Sequence, residues 1–278
     1  MRPIKMMTGG HSGGGGYNAE TVAWYTAIAG LGASVTTTEK NWADALIVAW
    51  RAQTFDSKTV SIYPFLGAYI NAARVPLRDA LSAGPAANTG FVDGDVGNAV
   101  GIANSSGANK YLNTGITPSQ LGSSGNGGLG WYERNFLGNG TTTEIMGMDE
   151  STITADGRFV LDIRSSGNRF FSFGEVGTRS GDTVAGANGF YYGQRNGATS
   201  RALYKDSTQL GSTNTSSDPA SGANQYSILL MGCNVHGTPT QANGRGGIAV
   251  LTDGTFTTTE IGDMKTLIDI YLITATGR

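Results

Sequence analysis

Hydrophobic positions along this chain change period twice. Between Glu20 and Ala29, the residues Val22, Trp24, Tyr25 and Ile28 fall at helical spacing, and Gly30 supplies a stop. A second helix is announced by Thr36 and Glu39 at capping-box spacing, followed by Trp42, Leu46, Ala49 and Trp50 at three- and four-residue intervals. The two form a helical hairpin over residues 18–58. From Thr59 the pattern shortens to β-rich runs broken by Gly, Asn, Ser and Asp. The predicted strands are Val60–Phe65, Ala99–Ala103, Lys110–Leu112, Leu129–Arg134, Thr143–Met148, Arg158–Ile163, Phe170–Phe173, Gly189–Gln194, Ala202–Lys205, Tyr226–Cys233 and Gly247–Leu251. Helical period then returns: Thr257 and Glu260 repeat the capping box, and Ile261, Met264, Leu267, Ile268 and Tyr271 make one apolar stripe over a helix at 257–274.

Many short strands with frequent turns argue for a sandwich or barrel over an alternating α/β fold. Asp156-Gly157, Gly167-Asn168, Asn196-Gly197 and Asp253-Gly254 supply the positive φ that tight turns require. The expected architecture is mainly β, an antiparallel jelly-roll sandwich over residues 59–278 closed by the C-terminal helix. Residues 1–17, with four consecutive glycines at Gly13–Gly16, read as a flexible arm. Three of the chain's four tryptophans, Trp24, Trp42 and Trp50, lie in the hairpin, where they are expected to staple the helices together or onto the sandwich.

Composition narrows the function. The 278 residues are 39% hydrophobic and only 14% charged, and of the 43 glycines those outside the arm cluster in loops. With 19 basic against 21 acidic residues and a net charge of -2, no basic field gathers nucleic acid or anionic lipid. One cysteine, Cys233, precludes an internal disulfide and a Cys-rich zinc site, and its apolar setting predicts a buried hydrophobe. No signal peptide and no membrane span are expected, so synthesis in a reducing cytoplasm is the expectation.

Catalytic motifs are weak. Glu144 and Glu150 bracket a strand, but they would lie about 20 Å apart if it stayed extended, whereas retaining glycosidases hold their carboxyls about 5 Å apart. His11 and His236 lack metal-ligand spacing, and the Gly-Ser runs near Ser12 and Ser123 lack the setting of a nucleophile elbow. Asp93-Gly94-Asp95 offers two oxygen ligands where calcium takes six to eight, so an Asp-Gly turn is expected and no cofactor. The best sugar-contacting candidates are Tyr191, Tyr192 and Tyr204 with Arg195 and Arg201, against the competing reading that alternate tyrosines line the core.

Several segments resemble virion proteins of tailed bacteriophages that carry a concanavalin A-like (laminin-G-like) jelly roll. They are Ile62-Tyr63-Pro64-Phe65-Leu66-Gly67, Lys110-Tyr111-Leu112-Asn113-Thr114-Gly115, Trp131-Tyr132-Glu133-Arg134, Leu203-Tyr204-Lys205-Asp206, and the ending from Phe256 through Glu260 to Gly277-Arg278. The resemblance implies location in the virion and a non-enzymatic structural role as capsid decoration, head fibre or tail fibre component. It also implies other virion proteins as partners and a homo-oligomer such as a trimer. A glycan-binding host-receptor module of the tail is the alternative, and a polysaccharide depolymerase a second.

Overall fold

The structure is a computed structural model, and it describes residues 16–99, 101–104, 109–121, 126–134, 144–149, 158–163, 169–174, 179–182, 188–197, 199–215, 226–235, 237–242 and 244–276. Four helices are seen among these residues: α1 (Ala19–Gly30), α2 (Thr37–Arg51), α3 (Ile70–Ala73) and α4 (Thr258–Thr276). The strands in chain order are β1 (Thr59–Tyr63), β2 (Arg78–Asp79), β3 (Ala87–Thr89), β4 (Val96–Gly97), β5 (Gly101–Asn104), β6 (Tyr111–Asn113), β7 (Gly127–Glu133), β8 (Glu144–Asp149) and β9 (Arg158–Ile163). They continue with β10 (Arg169–Gly174), β11 (Arg179–Asp182), β12 (Gly189–Arg195), β13 (Arg201–Lys205), β14 (Thr208–Asn214), β15 (Leu229–Leu230), β16 (Gly232–Val235), β17 (Thr238–Gln241) and β18 (Gly244–Asp253).

These strands form two sheets. The first runs β14-β13-β12-β7-β18-β1-β2, with β5 joined to β18 and β4 to β5. The second runs β11-β10-β9-β8-β15-β6-β3, with β16 joined to β8 and β17 to β16. The fold is therefore mainly β, a jelly-roll-like sandwich with N-terminal helices and a C-terminal helix. One pairing departs from the antiparallel expectation. Met231 takes a left-handed φ of 61°, breaking the predicted Tyr226–Cys233 strand in two. In consequence β15 runs antiparallel to β8 while β16 runs parallel to it.

Two cores result, and the first sheet lies between them. Its inward residues, among them Tyr63, Leu129, Trp131, Tyr191, Leu203, Ala249 and Leu251, meet Leu112, Met146, Met148, Phe159, Leu161 and Leu230 of the second sheet. Its outward residues Ile62, Phe190, Tyr192, Tyr204, Ile248 and Val250 meet Trp24, Ile28, Leu46, Ile47 and Trp50 of α1 and α2, and the predicted apolar stripe of α4. Alternation along each strand sends successive side chains into opposite cores. Each large apolar side chain so buried stabilises the fold by about 1.5–3 kcal/mol.

Local chemistry fixes the helices to this frame. The Thr36 hydroxyl accepts from the Glu39 amide at 3.2 Å and the Glu39 carboxylate accepts from the Thr36 amide at 2.6 Å, the reciprocal box foreseen in the sequence. Thr257 and Glu260 repeat it at 3.2 and 2.7 Å. The Trp24 indole donates to the Val75 carbonyl and that of Trp50 to the Thr59 hydroxyl, so these two tryptophans staple the helices onto the sandwich. Trp42 is only partly buried against the same core. Tyr17, at the end of the Gly-rich arm, donates to Asn41 and sets its ring edge-on to Tyr25.

The sequence reading missed several strands, and β14 shows why. Lys205 and Thr208 pair across Asp206 and Ser207, whose φ values of 51° and 75° both lie in the left-handed region. Such a turn normally calls for glycine or asparagine. Here the Asp206 carboxylate accepts from the Phe190 amide at 2.9 Å and from the Lys205 ammonium at 2.6 Å, which holds the turn without either.

Candidate functional site

The five residues expected to contact sugar lie in the interior. Tyr191, Tyr192, Arg195 and Arg201 are fully buried and Tyr204 is 9% exposed. Tyr191 points into the inter-sheet core, while Tyr192 and Tyr204 point beneath the helices. The Tyr192 hydroxyl sits 2.8 Å from that of Thr252, and its ring packs edge-on against Phe256. Burial pushes the Tyr192 phenol far above its ordinary range. Arg195 and Arg201 face each other across β12 and β13, and Arg195 donates from Nε to the Gly197 carbonyl at 2.8 Å. Stacking on a pyranose requires an exposed ring face, so these rings serve packing instead.

The acidic candidates are likewise absorbed locally. Asp93 accepts from the Ile70 amide at 2.9 Å and so starts α3. Asp95 accepts from the Val92 amide at 2.8 Å and from the Lys110 ammonium at 2.7 Å. Among the described residues no three His, Cys, Asp or Glu side chains come together as a metal-binding group, and no helix is long and apolar enough to cross a membrane. His11, His236 and Glu150 lie outside the described residues, as do the Asp156-Gly157 and Gly167-Asn168 turns. Cys233 is fully buried.

A different surface has the ingredients for binding. On β6, Leu112 enters the inter-sheet core, so Tyr111 and Asn113 project from the outer face of the second sheet, where both are half-buried. The Asn113 side chain is oriented by its surroundings. Its Oδ1 accepts from the Gly115 amide at 3.0 Å and from the Ser227 hydroxyl at 2.5 Å, which turns the Nδ2 donors away from both. The segment carrying Ser227 is stitched to the β6 side by Thr114 and Ile116, which exchange hydrogen bonds with the Ile228 backbone at 2.8–3.1 Å. Leu229, directly opposite Asn113, is fully buried and closes this side of the surface.

The β16–β17 hairpin forms the other wall. A Cβ at Gly232 would lie 2.3 Å from the Thr240 carbonyl, so glycine is what lets β16 and β17 approach here, and it would lie 3.5 Å from the Tyr111 Cβ, an ordinary contact that sets the hairpin beside Tyr111. At the hairpin's turn Gly237, with φ at 79°, lies beside the half-buried ring of Tyr226. The Tyr226 ring itself packs against the inter-sheet core. Thr89, paired with Tyr111 on β3, and the exposed Thr238 add hydroxyls at the margin. The arrangement can offer the Tyr111 ring beside a fixed amide donor and neutral hydroxyls, a combination suited to a polyhydroxylated ligand.

Sequence reasoning passed over this surface because its parts are far apart, Asn113 and Ser227 being separated by 114 positions. The available signal was the alternation of Tyr111, Leu112 and Asn113, which predicts one buried and one open face.

No protein-family model matches the chain, and no curated protein matches it. Solved structures do. A mutant of Trypanosoma rangeli sialidase displaying trans-sialidase activity aligns with 83% of this chain and 39% of its own, at 12% identity and a TM-score of 0.52. Trypanosoma rangeli sialidase in complex with 2,3-difluoro-KDN aligns with 84% of this chain and 40% of its own, at 13% identity and a TM-score of 0.51. The Ruminococcus gnavus IT-sialidase CBM40 covers 59% of this chain and 95% of its own, at 10% identity and a TM-score of 0.44. The chain thus spans about two fifths of the length of the two Trypanosoma sialidases it matches. At such identities the likeness concerns the fold.

Proposed function

We propose that this chain is a non-enzymatic, lectin-like display module, carried on a virion and holding glycan on the outer face of its second sheet. The observation that carries the reading is the Tyr111–Asn113–Ser227 surface, where a half-buried ring shares the outer face with an amide whose donors are turned away from its own partners. Fold likeness to sialidases and, more distantly, to a sialidase CBM40 is compatible with glycan recognition, and the binding itself rests on the surface. The virion setting rests on the sequence segments that resemble tailed-phage virion proteins. In that setting the helices over the first sheet are the side for other virion proteins or further copies of the chain, and the second sheet faces outward to host glycan. Each site would bind weakly, and repetition over a particle would supply avidity.

The experiment is a glycan array probed with the wild-type protein and with Tyr111→Ala. The wild type is expected to retain a defined set of glycans and Tyr111→Ala to lose signal for that set by tenfold or more. Equal signal from both proteins would end the proposal for this surface.

A further inference from the structure

Resting on the reading of the helix layer as the assembly side, we infer that a second copy of this chain covers it, the outer faces of α1 and α2 packing against their own counterparts across a two-fold axis. A helix lying on a sheet ordinarily turns charged residues to water. This hairpin turns out small and apolar ones. On α1 the outward positions Val22, Ala23, Thr26 and Ala29 are exposed, Val22 to 37%, and on α2 the outward positions Asn41, Ala45 and Val48 are exposed, Val48 to 44%. The spacing sets each group on one face of its helix, and the two helices pack against each other. The five charged residues of α1 and α2 are engaged within the chain. Lys40 lies over the Tyr25 ring at 4.3 Å, and Asp44 accepts from the Asn18 amide at 2.6 Å. Glu39 accepts from the Thr36 amide and from Asn98, both at 2.6 Å, while Arg51, the last residue of α2, donates to Glu20 at 2.7 Å.

A second copy fits this face better than an unlike partner. Unlike partners are steered and held in register by complementary charge, and the outward positions of the hairpin present neutral side chains. A two-fold contact sets the same patch against itself, where any net charge would repel its own copy, so a neutral patch is what such a contact requires. Ala23, Ala29 and Ala45 let two helix layers approach closely. The layer is also large enough. With 12, 15 and 19 residues, α1, α2 and α4 are about 18, 22 and 28 Å long and each about 10 Å wide, and α4 adds the exposed Ile270. Their joint projection of about 700 Å² is near the about 800 Å² per partner of a standard interface. The Arg51–Glu20 and Lys265–Asp269 ion pairs, at the end of α2 and along α4, border the neutral patch with the polar groups of an interface rim.

The test is sedimentation of the intact chain over a hundredfold range of concentration reaching about 100 μM. A dimer is expected, with concentration-dependent amide shifts on α1 and α2 and none at Tyr111. Ala23→Glu and Val48→Glu should each weaken the dimer tenfold or more, while unchanged thermal unfolding shows that these exposed positions leave the fold intact. Val48→Ala, which keeps the face neutral, should keep the dimer. Dimers of undiminished affinity in both glutamate variants would mean that another face associates, and an oligomer of odd number would exclude the two-fold contact; either overturns the inference. So does a wild-type monomer at the highest concentration. In that event deletion of residues 1–15 separates the remaining occupants: a dimer that appears on deletion assigns the face to the chain's own arm, and a persistent monomer leaves it to an unlike virion protein. A monomer that retains its glycans on the array overturns this inference alone, and a dimer that retains none overturns the glycan reading alone.

Discussion

The two sheets of this sandwich are built from similar residues and do opposite work. The central strands of the first are buried on both faces, and they read as near-continuous apolar runs such as Phe190-Tyr191-Tyr192 and Ile248-Ala249-Val250-Leu251. At β6 the second sheet keeps one face in the core and opens the other, so its residues alternate in character. A tyrosine on the first sheet is an interior brick. One on β6, Tyr111, is half-buried on the outer face of the second sheet. The chemistry of a side chain is thus decided by how many layers cover its strand.

This contrast can be broken most severely from the helix side. Trp50 is fully buried between α2 and the first sheet and donates to Thr59, so Trp50→Ala should cost about 3–5 kcal/mol in urea unfolding. A smaller loss would mean that the helix layer contributes little to the first sheet. Next comes the tie between the start of β1 and the start of α4. Lys58 donates to the Glu260 carboxylate at 2.8 Å and to the Thr255 carbonyl at 2.8 Å, and Glu260 also caps α4. Glu260→Ala should therefore cost about 1–2 kcal/mol at neutral pH.

Acid sharpens that case. Burial pushes the Glu260 carboxyl up, but hydrogen bonds from Lys58 and Thr257 outweigh it and leave the group below its ordinary value of 4.5. A depressed carboxylate contributes its stability above the unfolded value and loses it as pH falls through the folded one. The stability gap between wild type and Glu260→Gln should accordingly hold from neutral pH down to the ordinary value and shrink below it. A gap that stayed constant to about pH 3 would contradict the ion pair.

Within the first sheet, Tyr192→Phe removes one buried hydroxyl contact with Thr252 and should cost about 1 kcal/mol, since Thr252 keeps its bond to the Gly128 carbonyl. The smallest stability effect belongs to the open face. Tyr111→Ala should move thermal stability by about 0.5 kcal/mol or less while removing glycan binding. If it unfolded the protein instead, Tyr111 would belong with the interior tyrosines, and the distinction between the sheets would fail.

Much of the fold was legible in local pattern. Both capping boxes, the α4 stripe and the strand Arg158–Ile163 follow from spacing alone, because helices and single strands are set by near neighbours. Double burial of the first sheet was written in the same runs, yet the consecutive aromatics were weighed as a possible exposed face. Their actual cover, α1, α2 and α4, comes from both ends of the described chain. Strand β14 hid behind a glycine-free turn whose left-handed residues are held by the Asp206 side chain. The candidate site was illegible for a related reason: Asn113 acquires its orientation from Ser227, and no local motif records that pairing.

The position of β18 has a consequence for how the molecule is made. This strand, Gly244–Asp253, is inserted between β7 and β1, so two halves of the first sheet share a member that emerges late from the ribosome. Until residues through Asp253 are synthesised, β1 and β7 present unpaired backbone edges. The helix that covers them, α4, comes later still. Such non-local closure is slow and leaves the nascent chain open to mispairing. The first sheet can therefore close only after β18 has followed β1 and β7, and truncation before β18 would leave a half-built sheet with open edges.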